Sequence, residues 1–104
     1  MTDNSVQLTA AELKSKLNGE TAKISWRELQ LHFARGVVFC ASPDSDLVEL
    51  ALQLSQDNKQ LIQSYLDDGS IAKMNDQDAA SYGDGDLFWA VVVAPWVLVQ
   101  KVLG

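Results

Sequence analysis

The residue pattern predicts an α+β protein with about five short helices packed on a small, mainly antiparallel sheet of three to four strands. Three observations lead there. Apolar residues recur at helical spacing from residue 10 to residue 66, and the last stretch is dense in valine and tryptophan. Gly or Pro stands at most of the changes between the two patterns. With 104 residues, 47% hydrophobic and 21% charged, the chain has the size and composition of one folding unit. The expected division is a flexible N-terminus at 1–8 and a single domain at 9–104.

Thr9 and Glu12 have capping-box spacing, and Leu13 pairs with Leu17 before Asn18-Gly19, which predicts a helix from Ala10 to Leu17. A second box, Ser25 with Glu28, opens a helix over Trp26 to Arg35. Its stripe is Trp26, Leu29 and Phe33, and Gly36 ends it. Val37 to Ala41 is a β-rich run stopped by Ser42-Pro43-Asp44, a strand expected to be buried on both faces. Asp44 or Ser45 is the expected cap of the third helix, which carries Leu47, Leu50, Ala51 and Leu54 as its stripe.

Asp57 with Gln60 caps a fourth helix. Its Leu61, Ile62, Tyr65 and Leu66 are expected to face inward as far as Gly69, forming a tight hairpin with the third. Ser70 to Met74 reads as a short strand and Asn75 as the cap of a brief helix to Tyr82. Gly83-Asp84-Gly85-Asp86 is a turn whose glycines favour left-handed backbone. Phe88 to Val93 and Trp96 to Val102 are apolar on both alternate faces, which places them in the middle of a covered sheet. Pro95 then sits at a bend, bulge or edge. A terminal helix with Pro95 at its first position is the weaker rival, because valines and a tryptophan crowd the segment.

Net charge is −6, which opposes binding to phosphate backbones and anionic membranes. Residues 57–86 hold Asp57, Asp67, Asp68, Asp76, Asp78, Asp84 and Asp86 against Lys59 and Lys73. A solvated face is the first reading of that stretch, and a docking surface for a basic partner the second. Cys40 stands alone, so no intrachain disulfide forms and a reducing compartment is expected. Met1 to Ala10 lacks the basic start of an export signal, which makes the cytoplasm the expected location. The apolar run Leu87 to Val99 is thirteen residues long and contains Pro95, short of the roughly 20 that cross a bilayer.

Sites of known chemistry are sparse. His32 is the sole histidine, which excludes a multi-histidine metal site, and Cys40 beside Phe39 and Ala41 reads as a core hydrophobe rather than a nucleophile paired with His32. The carboxylate pairs Asp44 and Asp46, Asp76 and Asp78, and Asp84 and Asp86 lack the continuation of a calcium loop and serve as caps and turn formers. No metal and no cofactor are expected. Two stretches remain. Glu20, Thr21 and Glu28 gather around Trp26 near a helix N-terminus that could meet an anion, although a cap explains Glu28 and the helix stripe explains Trp26. Pro95 and Trp96 would mark an interface if exposed at a sheet edge.

These stretches also carry a resemblance. Gly19-Glu20-Thr21-Ala22 with Ile24-Ser25-Trp26-Arg27-Glu28-Leu29, then Asp46-Leu47-Val48-Glu49, then Ala90 to Gln100 resemble the small bacterial DUF2288 family. The resemblance spans nearly the whole chain. It implies a single domain in a bacterial cytoplasm and assigns no activity, cofactor or catalytic residue.

The function expected is a non-catalytic interaction or regulatory module with an unidentified protein partner. The alternative is a small ligand binder or enzyme using Glu20, Thr21 and Glu28 near Trp26, helped by His32. A winged-helix nucleic-acid binder is a third reading, disfavoured by the absence of a basic helix face. Neither nucleic acid nor membrane is an expected partner. A homodimer is expected if the helices cover only one face of the sheet.

Overall fold

In the computed structural model, which describes residues 9–56 and 59–102, helices and strands alternate irregularly. They are α1 (Ala10–Glu20), β1 (Ala22–Ser25), α2 (Trp26–Ala34), β2 (Val38–Ala41), α3 (Leu47–Ser55), α4 (Lys59–Asp68), β3 (Ile71–Lys73), α5 (Asp76–Ala80), β4 (Leu87–Val93) and β5 (Trp96–Lys101). The strands form one five-stranded sheet in the order β1-β4-β5-β2-β3. All neighbours are antiparallel except β2 and β5, which run parallel with Val38 opposite Val97 and Cys40 opposite Val99.

Local chemistry sets the helix starts. The Thr9 Oγ1 accepts the Glu12 amide at 3.1 Å while Glu12 accepts the Thr9 amide at 3.0 Å. Ser25 and Glu28 form the same reciprocal box for α2. Each box satisfies two amides that the helix itself cannot. Asn75 caps α5 by accepting the Asp78 amide at 2.7 Å. Gly36 and Gly69 follow α2 and α4 at φ of +74° and +82°, a left-handed backbone that residues with a Cβ adopt at a cost.

Strand alternation divides the core in two. Val91 and Val93 of β4 and Leu98 of β5 lie under α1, α3 and α4, in a cluster with Leu17, Leu50, Ala51, Leu54 and Ile71. Their neighbours Phe88, Ala90, Val97 and Val99 point the other way and meet Trp26, Leu29, Val38 and Met74 under α2 and α5. Trp26 packs in tilted contacts against Phe33, Tyr82 and Phe88 with centroids 5.2 to 6.2 Å apart. Complete burial of a side chain such as Phe88 or Leu29 stabilises the fold by roughly 2 kcal/mol.

Several expectations need correction. The sheet has five strands because Ala22–Ser25 pairs with β4, a short mixed sequence between two helices that carries no β signal. Helix α1 continues through Asn18-Gly19 to Glu20, and the Thr21 amide closes it on the Asn18 carbonyl. The cap of α3 is Asp46, whose Oδ1 accepts the Glu49 amide at 3.1 Å, not Asp44 or Ser45. The Ser45 hydroxyl instead bonds that of Ser42 at 2.7 Å. Leu66 is 37% exposed rather than inward. Strand β2 is only partly covered at Phe39 and Cys40. The expected cap Asp57 and the segment 1–8 lie outside the described residues.

The turn before β4 forms without left-handed glycines. Asp86 donates its amide to the Gly83 carbonyl, and its carboxylate accepts the Gly83 amide. Trp96–Lys101 is a strand, which disposes of the helical rival. Pro95 stands in the tight β4–β5 turn, after a cis Ala94–Pro95 bond.

The middle of β5 is covered on both faces as expected, but β4 is not covered along its whole length. On β4, Leu87 is 42%, Trp89 38% and Val92 61% exposed, since the helices stop short of the end of the sheet near β1 and of the β4–β5 turn. Helices nevertheless lie on both faces, so the reason offered for a second subunit is absent.

Candidate functional site

Helix α3 crosses one face of the sheet, and a depression lies at each of its ends. At its N-terminus a cleft of about 280 Å³ opens between the last turn of α1 and the first turn of α3, above β4 and β5. Asn18 and Thr21 form one wall, Asp46, Leu47 and Val48 the other, and Trp89 with Gln100 the floor. The floor follows from strand register. Lys23, Trp89 and Gln100 are consecutive cross-strand partners on β1, β4 and β5, so their side chains share a face.

Each wall group has a defined hydrogen-bonding state. Gln100 Nε2 donates to the Ser42 carbonyl at 2.7 Å and the Ser45 carbonyl at 2.8 Å. With both donors committed, the amide is oriented and its Oε1 is left as an acceptor. Asp46 uses Oδ1 to cap α3, and no described residue donates to its Oδ2. The Thr21 hydroxyl donates back to the Leu17 carbonyl at 2.8 Å, which leaves it only acceptor capacity. Lys23 Nζ lies 4.9 Å from the centre of the half-exposed Trp89 ring. Two residues along β4, Leu87 extends the bare strip beyond the helices.

At the other end of α3, a groove of about 350 Å³ is lined by Phe39, Leu54, Ile62 and Trp96, with Lys59 and Gln63 at its rim. Phe39 and Trp96 meet edge to face at 4.9 Å.

The sequence-predicted residues separate. Thr21 lines the cleft, and Glu20 is the exposed last residue of α1 beside it. Trp26 is 4% exposed on the opposite side of the sheet, and Glu28 is held by its cap. Trp96 is half-buried in the second groove, with Pro95 exposed in the adjoining turn. The cleft residues that sequence reasoning missed include Trp89, Gln100 and Asn18, and it also missed Lys23, which lies over the Trp89 ring. One signal pointed to Gln100, the first polar residue after the run from Leu87 to Val99. The three stretches carrying the resemblance all contribute to this cleft: Thr21, then Asp46 to Val48, then Gln100.

Other reactive groups sit under α2 and α5. Burial, helped by the Asp78 carboxylate, pushes the Cys40 thiol up to about 11, so it is protonated near neutrality. Burial likewise raises Tyr82. Among the described residues no group of three or more His, Cys, Asp or Glu side chains is placed to hold a metal ion. No described helix is long and apolar enough to cross a membrane.

Residues 12–101 match the family described as protein of unknown function DUF2288. Among solved structures, the NMR solution structure of PA1075 from Pseudomonas aeruginosa is similar, with 38% identity and a TM-score of 0.76. The match covers 99% of this chain and 95% of that one. None of the curated proteins is significantly similar.

Proposed function

The chain belongs to the DUF2288 family of proteins of unknown function, and from that premise we propose that it is a non-catalytic interaction module that docks a protein partner on the bare end of its sheet. One observation carries the reading. Trp89 and Leu87 share a face that α1, α3 and α4 otherwise cover, and they are the part left uncovered. A half-exposed tryptophan on a rigid strand supports docking because such residues dominate the energetics of protein interfaces. The adjoining cleft adds oriented polar groups to the same surface. A cytoplasmic setting goes with this reading, on the strength of Cys40 as the single cysteine, with which no intrachain disulfide can form.

The test is gentle isolation of the tagged protein from its own cell, beside a Trp89→Ala variant shown to melt within a few degrees of it. A partner retained by the native chain and lost by the variant supports the proposal. Free protein alone, at physiological salt and expression level, overturns it, as does a partner that ignores Trp89.

The rival reading, a small-ligand binder, keeps Glu20 and Thr21 beside the cleft but cannot use Trp26 or Glu28, which lie elsewhere. Ligand-induced stabilisation that is lost in Thr21→Val would favour it.

A further inference from the structure

We propose that the cleft between α1 and α3 receives an arginine side chain from a basic segment of the partner, an inference that rests on the docking reading above and names the partner's chemistry. Size comes first. At about 280 Å³ the cleft lies at the lower edge of the range for small-molecule pockets, and has room for one long side chain entering from an open surface.

The polar groups then select the occupant. Gln100 has both amide donors committed to Ser42 and Ser45, so it offers the cleft only Oε1. Asp46 offers a carboxylate oxygen to which no described residue donates, and the Thr21 hydroxyl has its one donor engaged by the Leu17 carbonyl. These three groups all accept, and an occupant that satisfies them must donate at several angles.

Fields at the two helix ends agree with a cation. The C-terminus of α1 carries partial negative charge and has no basic residue in its last turn. The N-terminus of α3 would repel a cation, but Asp46 and Glu49 occupy its cap and first turn and offset it. Glu49 is paired with Lys14 at 3.6 Å, while Asp46 has no ion pair among the described residues. The net charge of −6 draws basic partners to the molecule as a whole. Lys23 is the opposing group, since it already lies over Trp89.

Guanidinium fits better than ammonium. It is planar, supplies five donors in a fixed fork, and stacks on an indole face without losing in-plane hydrogen bonds.

The experiment is a titration of the isotope-labelled protein with blocked arginine amide, followed by NMR. Blocked citrulline, which has the shape without the charge, and blocked glutamate serve as controls. We expect saturating shifts confined to the Gln100 side-chain amide, the Trp89 indole N–H and the backbone around Asp46, with a Kd in the range of about 1–10 mM for so small a probe. Citrulline and glutamate should bind up to about fivefold more weakly, the upper end of the factor expected for one ion pair near a surface. Asp46→Asn keeps the helix cap, so the fold is retained, and should weaken arginine by a similar factor. Lys23→Ala should tighten it by about twofold, whereas an anion site would be weakened.

Scattered shifts, equal binding of citrulline, or an Asp46→Asn variant with native affinity would each overturn the proposal. The two readings fail separately. A partner captured through Trp89 without an arginine response sinks this inference alone, while an arginine response with a partner indifferent to Trp89 sinks the docking reading.

Discussion

Gln100, near the end of β5, holds Ser45 by donating a side-chain proton to its carbonyl at 2.8 Å, across 55 positions of sequence. The same amide nitrogen reaches the Ser42 carbonyl. The loop that delivers the chain from β2 to the cap of α3 is therefore fastened to the sheet at one point. Replacing Gln100 with Ala should destabilise the protein by about 1–3 kcal/mol, because the part-buried Ser45 carbonyl loses its donor and the Ser42 carbonyl keeps only the Ser45 amide. Gln100→Glu should be worse, since it sets an acceptor against two acceptors. Urea midpoints of the three proteins check the order, and an alanine variant of native stability would contradict it.

Trp26 is the centre of an aromatic group, and its burial indicates a structural duty rather than a binding one. Truncation to Ala should cost about 3–5 kcal/mol, a large share of the roughly 5–15 kcal/mol typical of a whole domain. Trp89→Ala, at the exposed end of the sheet, should cost much less. Equal losses in the two variants, measured by chemical unfolding, would show that the two tryptophans are not divided between core and surface.

Two glycines should respond in opposite directions to alanine. Gly19 lies within α1 without positive φ, and an added Cβ would meet nothing within 4 Å. Gly19→Ala should stabilise by about 0.5 kcal/mol through helix propensity, reduced from the interior value because the site is near the helix end. Gly36 at φ +74° has room too, but its backbone is unfavourable for alanine, and Gly36→Ala should cost about 1 kcal/mol. Thermal midpoints moving in the same direction would refute this pairing.

Cys40 supplies a pH dependence with a definite sign. Its thiol is held at about 11, above the ordinary value of 9.0, so the folded state binds the proton more tightly than the unfolded chain. Stability from this source is complete below pH 9.0 and is lost as pH rises towards about 11. Raised Tyr82 adds to the same alkaline loss. Cys40→Ala should delay its onset, visible as a flatter plot of urea midpoint against pH from neutral upward. A curve superimposable on the native one would exclude the thiol as its cause.

Much of the fold was legible because it depends on neighbours in sequence. Thr9 with Glu12, Ser25 with Glu28, and Asn75 with Asp78 are local bonds, and each predicted helix start based on them was correct. Strand β1 was not legible, because Ala22, Lys23, Ile24 and Ser25 extend only where β4 is present to pair with them. The cap of α3 was misplaced by one or two residues for a related reason: Ser45 is held by Ser42, and its carbonyl by Gln100, which leaves Asp46 to start the helix.

The candidate site was less legible still. Thr21 was found through its neighbourhood in sequence, yet the residues facing it, Asp46, Trp89 and Gln100, come from three separate segments. Trp26 and Glu28 sit close to Thr21 along the chain, but the strand between them turns the chain from one side of the sheet to the other. Counting carboxylates could not reveal that turn.

The parallel pairing of Val38 with Val97 and Cys40 with Val99 determines when the protein can be made whole. Emerging from the ribosome, residues up to β4 would have α3's leucines formed into a stripe with the central strand still missing. The domain closes only on delivery of its last strand, and until then the greasy side of α3 is offered to chaperones, or to a neighbouring nascent chain.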